Sequence, residues 1–433
     1  MKDILIKGGR IIDPAANRDE TADLLIRMGK IAEAGTRPSP DAVIIDAAGK
    51  VVCPGFIDIH THLREPGDEE KETIASGTLA AARGGFTTVC CMPNTNPPLD
   101  NAAAIEFVNE RAAETGAVRV LPIGCISQGR AGNVITEMCD MAEAGAVGFS
   151  DDGAPAATAA LLRHALEYCR DLDRPVMDHC EDTALTDGAQ MNEGIIATRL
   201  GLKGWPAAAE EIVVARDVAL AELTGGRLHI CHATTAGVVD IVRRAKEKGI
   251  RVTCEVTPHH LTLTDEAVIG YDTNAKVNPP LRTQKDIEAL IEGLKEGVID
   301  AIATDHAPHT EVDKLCEFGY APFGISGLET ALASVLTLVH AGKLPLELVV
   351  SKLTCEPARI IGGHNLSGAL KAGETADITI FDPDLMWTVD TREFASQGRN
   401  TPLAGRQLKG RIMATICRGE LVYDDDALPK ENL

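Results

Sequence analysis

Nowhere in the 433 residues does an apolar run approach the ~20 residues a helix needs to span a bilayer. The opening MKDILIKGGRIID also lacks the apolar stretch of a secretory signal, so a cytoplasmic location is the expectation. Basic residues are scarce: 42 Lys and Arg stand against 64 Asp and Glu, a formal net charge of -22. That balance argues against nucleic acid and against an anionic membrane as partner, because both demand basic patches. An anionic substrate would have to be drawn by a local cluster of metal and arginine. No two of the twelve cysteines form a CxxC pair, and Cys53, Cys90, Cys91, Cys231 and Cys254 lie inside apolar runs. Reduced, buried thiols are expected rather than a disulfide framework. Fixed-period repeats and low-complexity segments are absent too.

What is present is an ordinary globular composition, 45% hydrophobic and 24% charged, in a chain long enough for one large barrel with an accessory unit. Eight apolar runs read as buried strands: VVCPGFIDIH, FTTVCCM, VRVLPIG, AVGFS, PVMDHC, RLHICH, IRVTCEV and IDAIATDH. Helical patterns such as TIASGTLAAARGG and TAALLRHALEYCRDL lie between most of them, several closed by glycine. Near-continuous apolar strands alternating with helices indicate a parallel sheet covered on both faces, and eight such units indicate an α/β fold of the closed (β/α)8 TIM-barrel type over residues 54–364. Residues 1–53 and 365–433 carry short strand-like runs bounded by turn residues (DILIKGGRII, ADITIFD, GRIMATICRGELVY). Both termini are therefore expected to build one small β-sandwich.

A barrel of this kind carries its active site at the C-terminal ends of its strands. The polar residues that follow the runs are His60, His62 and Arg64 after the first, Asn94 after the second, Asp151 and Asp152 after the fourth, His179 after the fifth, His232 after the sixth, and Asp305, His306 and His309 after the eighth. Residues i and i+2 of a strand share a face, so His60 and His62 project together as two prongs suited to one metal ion. Taken singly, each residue has a plainer reading: a hydrogen-bonded loop histidine, an Asp-Gly turn, a helix cap. Coincidence of histidine and aspartate across five strands favours a site. Four histidines and two carboxylates exceed what one catalytic zinc uses, which suggests two neighbouring metals sharing a carboxylate, with zinc favoured over manganese or cobalt. Such a pair activates water near neutral pH and polarises a carbonyl.

These segments resemble the cyclic amidohydrolases of the amidohydrolase superfamily, most closely the bacterial class I dihydroorotases. The likeness runs from KGGRIIDP through PGFIDIHTHLREPG, MPNTNP, FSDDG, DHCED, NPPLR and ATDHAPH to ADITIFD and RNTP, nearly the whole chain. It implies zinc-dependent, reversible interconversion of N-carbamoyl-L-aspartate and L-dihydroorotate in pyrimidine synthesis. By position, it makes His60 and His62 ligands of one zinc, and His179 and His232 ligands of the other. Asp152 would touch both ions, while Asp305 would bind the first and carry the proton. Arg64, Asn94, Asn278 and His309 would hold substrate together with the Phe323-Gly324 backbone, with His62 beside it. The resemblance also implies a homo-oligomer, expected to be a dimer, and leaves an aspartate transcarbamoylase partner open.

Many relatives bridge their metals with a carboxylated lysine on the fourth strand, but here no lysine occurs between Lys71 and Lys203. Asp152 must then supply the bridging oxygen, with Asp151 as the competing candidate, or the two-metal site is looser than in lysine-bridged relatives. Cys180, next to His179, is expected to be an inert thiol; the competing possibility is a thiolate that reaches zinc. Two rivals share the pattern: another cyclic-amide hydrolase of the allantoinase or dihydropyrimidinase kind, and a non-catalytic dihydroorotase-like subunit that scaffolds aspartate transcarbamoylase. A barrel without metal is the blandest alternative.

Overall fold

A computed structural model describes residues 2–363, 366–425 and, for backbone only, 430–432. Three parallel strands, Phe56–Thr61, Phe86–Cys91 and Arg119–Pro122, pair in chain order. Four more, Pro175–Asp178, Arg227–Ile230, Val252–Val256 and Ala301–Ile302, form a second parallel group. The fourth apolar run makes only single bridges, from Phe149 to Gly124 on one side and to Val176 on the other, and these join the two groups. At the opposite seam Thr61 bridges His306, and His62 N donates to His306 O at 2.9 Å. The ring is closed, as the eight runs led us to expect.

Strand alternation divides the core. Ile57, Ile59, Cys90, Leu121, Ile123 and Met177 fill the barrel interior. Phe86, Val120, Val176, Leu228 and Cys254 point outward into the layer beneath the helices. Helix Cys355–Ile361 contributes Ala358, Ile360 and Ile361 to the interior cluster and closes that end of the barrel. The covering helices begin where the sequence supplies caps. Thr73, Asn101, Thr158 and Thr235 each accept from the backbone N–H three residues on, starting Ile74–Arg83, Ala102–Thr115, Ala159–Leu172 and Ala236–Glu247.

The termini meet in one sheet. In order across it lie Glu420–Asp424, Gln407–Cys417, Ile378–Thr388, Val51–Pro54, Ile4–Asp13, Arg18–Arg27 and Lys30–Ile31. Val43–Asp46 also pairs with Ile4–Asp13, and Lys430–Asn432 pairs with Val43–Asp46. Ile26 and Ile31, from one end of the sheet, share a core with Ile416 and Met413 from the other, so the sheet folds over its own interior. The expected boundary between residues 364 and 365 lies outside the described residues. Among the described residues no helix is long and apolar enough to cross a membrane.

An aromatic cluster locks this sheet to the barrel. Phe56 sits between Phe86 (ring centroids 5.7 Å apart, edge-on) and Phe381 (6.3 Å), and all three are fully buried. Phe381→Ala should cost about 3–5 kcal/mol, the usual penalty for emptying a buried phenylalanine site. Chemical denaturation would register it as a lower midpoint, and a loss under about 1 kcal/mol would refute the joint.

Candidate metal centre and substrate cavity

The first strand ends in a local irregularity that serves the site. Ile57 and Ile59 both belong to the interior, and the pairing register with Phe86–Cys91 shifts between Asp58 and Thr61. Such a bulge re-aims the following side chain, here turning His60 inward with His62. The two rings lie 5.4 Å apart. Three site residues hold left-handed backbone, Arg64 (φ 62°), His232 (φ 35°) and Asp305 (φ 48°). Non-glycine residues pay for that conformation, and it gathers where side chains must be aimed against local preference.

The structure brings all six expected ligand residues together, in two adjoining groups. His60, His62 and Asp305 form one, and Asp152, His179 and His232 the other. Asp305 Oδ1 lies 3.0 Å from His62 Nε2 and 3.6 Å from His60 Nε2. Asp152 reaches both groups: Oδ1 is 3.3 Å from His60 Nε2 and 3.7 Å from both His179 Nδ1 and His232 Nε2, while Oδ2 is 3.5 Å from His62 Nε2. Asp151 is engaged outside both groups. Its carboxylate accepts from the backbone N–H groups of Ile126 and Ser127, each at 3.0 Å, and from the Ser127 hydroxyl.

Hydrogen bonds on the far side of three of the four rings set their tautomers. His60 Nδ1 is 2.6 Å from Glu255 Oε1, His62 Nδ1 is 2.8 Å from Asn94 Oδ1, and His179 Nε2 is 3.0 Å from Glu181 Oε2. In the neutral rings each of those nitrogens donates, which leaves the lone pair on the nitrogen that faces the carboxylates. Burial opposes charge in the cluster and prevails at His62, whose pKa it lowers, while at His60, Asp152 and Asp305 mutual attraction wins. His60 is held well above the usual imidazole range by Asp152, Glu255 and Asp305. His60 and His62 hold the Asp305 carboxyl low, and His60, His179 and His232 do the same for Asp152. Among the described residues no hydrogen-bond partner reaches His60 Nε2 or Asp152 Oδ1. Buried, unpaired imidazole and carboxylate donors grouped in this way fit divalent cations of borderline hardness.

Above the cluster opens a cavity of about 330 Å³, lined by Arg64, Asn94, Asn278, His309, Phe323 and Gly324 with His62, Asp152, His179, His232 and Asp305. Arg64 forms no ion pair among the described residues; its Nε donates to Pro308 O at 3.3 Å. His309 donates from Nε2 to Phe323 O at 2.8 Å, while burial and the Arg64 guanidinium press it to a pKa of about 3. It is a neutral ring whose Nδ1 is an acceptor. Neither His309 Nδ1 nor Asn278 Oδ1 has a partner among the described residues. The Gly324 backbone, expected at the substrate, is already engaged: its N–H donates to Lys276 O, and its carbonyl accepts from Lys314 and Asn400.

Cys180 turns away from the imidazoles. Its Sγ lies 3.5 Å from Asp217 Oδ2 in the outer layer, and burial pushes the thiol well up. The cysteine near the cluster is Cys231, grouped with His60 and Asp152. Sequence reasoning passed over Cys231 and Glu255, although strand parity from His229 and Thr253 marks both as inward-facing. His306, which the sequence places at the same rim, takes no part; its Nε2 lies 3.3 Å from Glu72 Oε2.

The chain as a whole resembles known proteins. Residues 49–237 match the dihydro-orotase-like family. A dihydroorotase of Pelotomaculum thermopropionicum is 56% identical over 425 residues, covering 98% of this chain and 99% of that one. One of Syntrophus aciditrophicus is 51% identical over 426 residues, covering 98% and 100%. Among solved structures, an L-hydantoinase (dihydropyrimidinase) from Arthrobacter aurescens superposes with a TM-score of 0.88 at 26% identity, covering 100% of this chain and 98% of that one. A D-hydantoinase gives 0.86 at 26%, covering 99% and 96%. With more than half its residues identical to one such relative along nearly the whole length of both, the chain belongs to the dihydroorotase family.

Proposed function

We propose that the chain is a metal-dependent dihydroorotase that interconverts L-dihydroorotate and N-carbamoyl-L-aspartate in pyrimidine synthesis. One observation carries the choice of substrate: Arg64, which forms no ion pair among the described residues, shares a cavity with the metal-ligating cluster. Its forked guanidinium matches a carboxylate, which dihydroorotate has and hydantoins lack. Asn278 Oδ1 and His309 Nδ1 supply acceptors for ring N–H groups, and Asn94, whose Oδ1 orients His62, keeps its NH2 as a donor.

Two zinc ions, one held by His60, His62 and Asp305 and one by His179 and His232 with Asp152 between them, would polarise the ring amide carbonyl and activate water at neutral pH. The remaining work belongs to the chain. Arg64 fixes the substrate by its carboxylate, which sets the position of the ring amide over the cluster. Asp305 is held as a carboxylate, so it accepts a proton from the attacking water and returns it to the departing ring nitrogen. In the cyclising direction Asp305 receives that amide proton instead.

The zinc-loaded enzyme should turn over dihydroorotate while dihydrouracil, hydantoin and allantoin react at least about 100-fold more slowly, because a site built for a charged group rejects analogues that lack it. Comparable rates on hydantoin would shift the assignment to the neighbouring hydrolases. The same reading includes a cytoplasmic homodimer, checked by sedimentation. Aspartate transcarbamoylase as a partner would show itself if its addition raised the rate.

A further inference from the structure

Beneath the metal-ligating cluster, Glu255 places a fully buried carboxylate in a barrel interior otherwise lined by residues such as Ile59, Cys90, Leu121 and Met177. No lysine or arginine pairs with it among the described residues. A charge so placed persists only if it is fully hydrogen-bonded. Glu255 is: Oε1 lies 2.6 Å from His60 Nδ1 and 3.4 Å from His232 N, and Oε2 lies 3.1 Å from His229 Nε2. His229 is anchored in turn by Thr253 Oγ1, 2.9 Å from its Nδ1. The Glu255 backbone adds a further tie, its carbonyl accepting from Ala233 N at 2.8 Å. One residue therefore grips a ligand of each group, His60 by its ring and His232 by the left-handed backbone on either side of which its two bonds fall.

We infer that Glu255 is a positioning residue for both metal sites. It fixes His60 as the tautomer whose Nε2 lone pair faces Asp152 and Asp305, makes that ring a stronger donor, and pins the His232 turn so that Nε2 meets His179 and Asp152. Carboxylates behind ligating histidines act in this way, and their loss typically weakens metal binding about 10–100-fold. The inference rests on the metal-dependent reading above.

The test is zinc titration of metal-stripped wild type and Glu255→Gln against a chromophoric chelator, with thermal melting of both metal-free proteins. The glutamine keeps the shape and one acceptor but loses the charge. The expected result is zinc affinity about 10–100-fold weaker, with a lower kcat and little change in KM. A carboxylate that merely stabilised the barrel would lower the metal-free melting temperature and leave affinity within twofold, and that result overturns the inference. If Glu255→Gln does not fold, His229→Gln decides. It removes the second anchor, and affinity at least about threefold weaker supports the role while unchanged affinity overturns it. Wild type that binds no zinc overturns the metal-dependent reading itself, whereas binding by wild type with an unchanged variant overturns only the role of Glu255.

Discussion

Asp305→Asn should lower kcat by about 10³-fold or more in both directions while leaving the fold and KM nearly intact, because a positioned acid-base group contributes about 10²–10⁴ and, on the proposed function, this one would also bind metal. The substitution is close to isosteric, and asparagine tolerates the left-handed backbone that Asp305 adopts at φ 48°. The amide oxygen can still face His62 Nε2 and a metal, but the group no longer accepts a proton. The proposed substrate contacts through Arg64 and Asn278 are untouched, so the effect should fall on kcat rather than KM. Forward and reverse rates must drop together, since the variant cannot alter the reaction's equilibrium. Steady-state rates in both directions, with metal content measured on the same preparation, check this. Activity within tenfold of wild type, with metal bound, would remove Asp305 from proton transfer.

The rim of the barrel was readable because strand parity is local. His60 and His62, two apart, share a face, and each later ligand follows an apolar run that ends at the same edge. The choice between Asp151 and Asp152 was not readable, because it depends on where Asp151 spends its acceptors, and those donors, Ile126 and Ser127, belong to the loop after the third strand. The stretch HTEVDKLCEFGYAPFG escaped for a similar reason. Its path is set by two lysines acting across the chain: Lys314 Nζ donates to the carbonyls of Thr273, Pro322 and Gly324, and Lys276 Nζ to those of Phe318 and Gly319. Burial brings Lys314 to a pKa of about 7, and no pattern in a linear sequence marks a lysine as interior. Glu255 stood in plain view within IRVTCEV, but a lone carboxylate in an apolar run gains meaning only when the partner strand brings His229 beside it. The terminal strands were legible as β-structure, while their closure into one folded sheet depends on pairings between residues more than 300 apart, such as Val52 with Ile380.

Arg64→Met should lower kcat/KM for dihydroorotate about 100-fold and leave dihydrouracil, which lacks the carboxylate, within about threefold of wild type. Two hydrogen bonds to a charged group at about 1.5 kcal/mol each give roughly 3 kcal/mol, and each 1.4 kcal/mol is tenfold. Methionine keeps the aliphatic stem and makes the same demand on the left-handed backbone at φ 62°, so neither packing nor strain confounds the comparison. Because Arg64 is without an ion-pair partner among the described residues, its removal strands no buried carboxylate, and the melting temperature should hold. The carboxylate sits away from the bond that breaks, so most of the loss should appear in KM, as for binding shared by ground and transition states. Arg64→Lys should recover only part of it, since an ammonium restores charge without the fork. One further sign is fixed by electrostatics: Arg64 helps to depress His309, so the His309 pKa should rise from about 3 in Arg64→Met, a shift that histidine NMR resolves. An equal loss on dihydrouracil would mean that Arg64 shapes the cavity rather than reading the carboxylate, and the choice of dihydroorotate over a hydantoin would lose its main structural support.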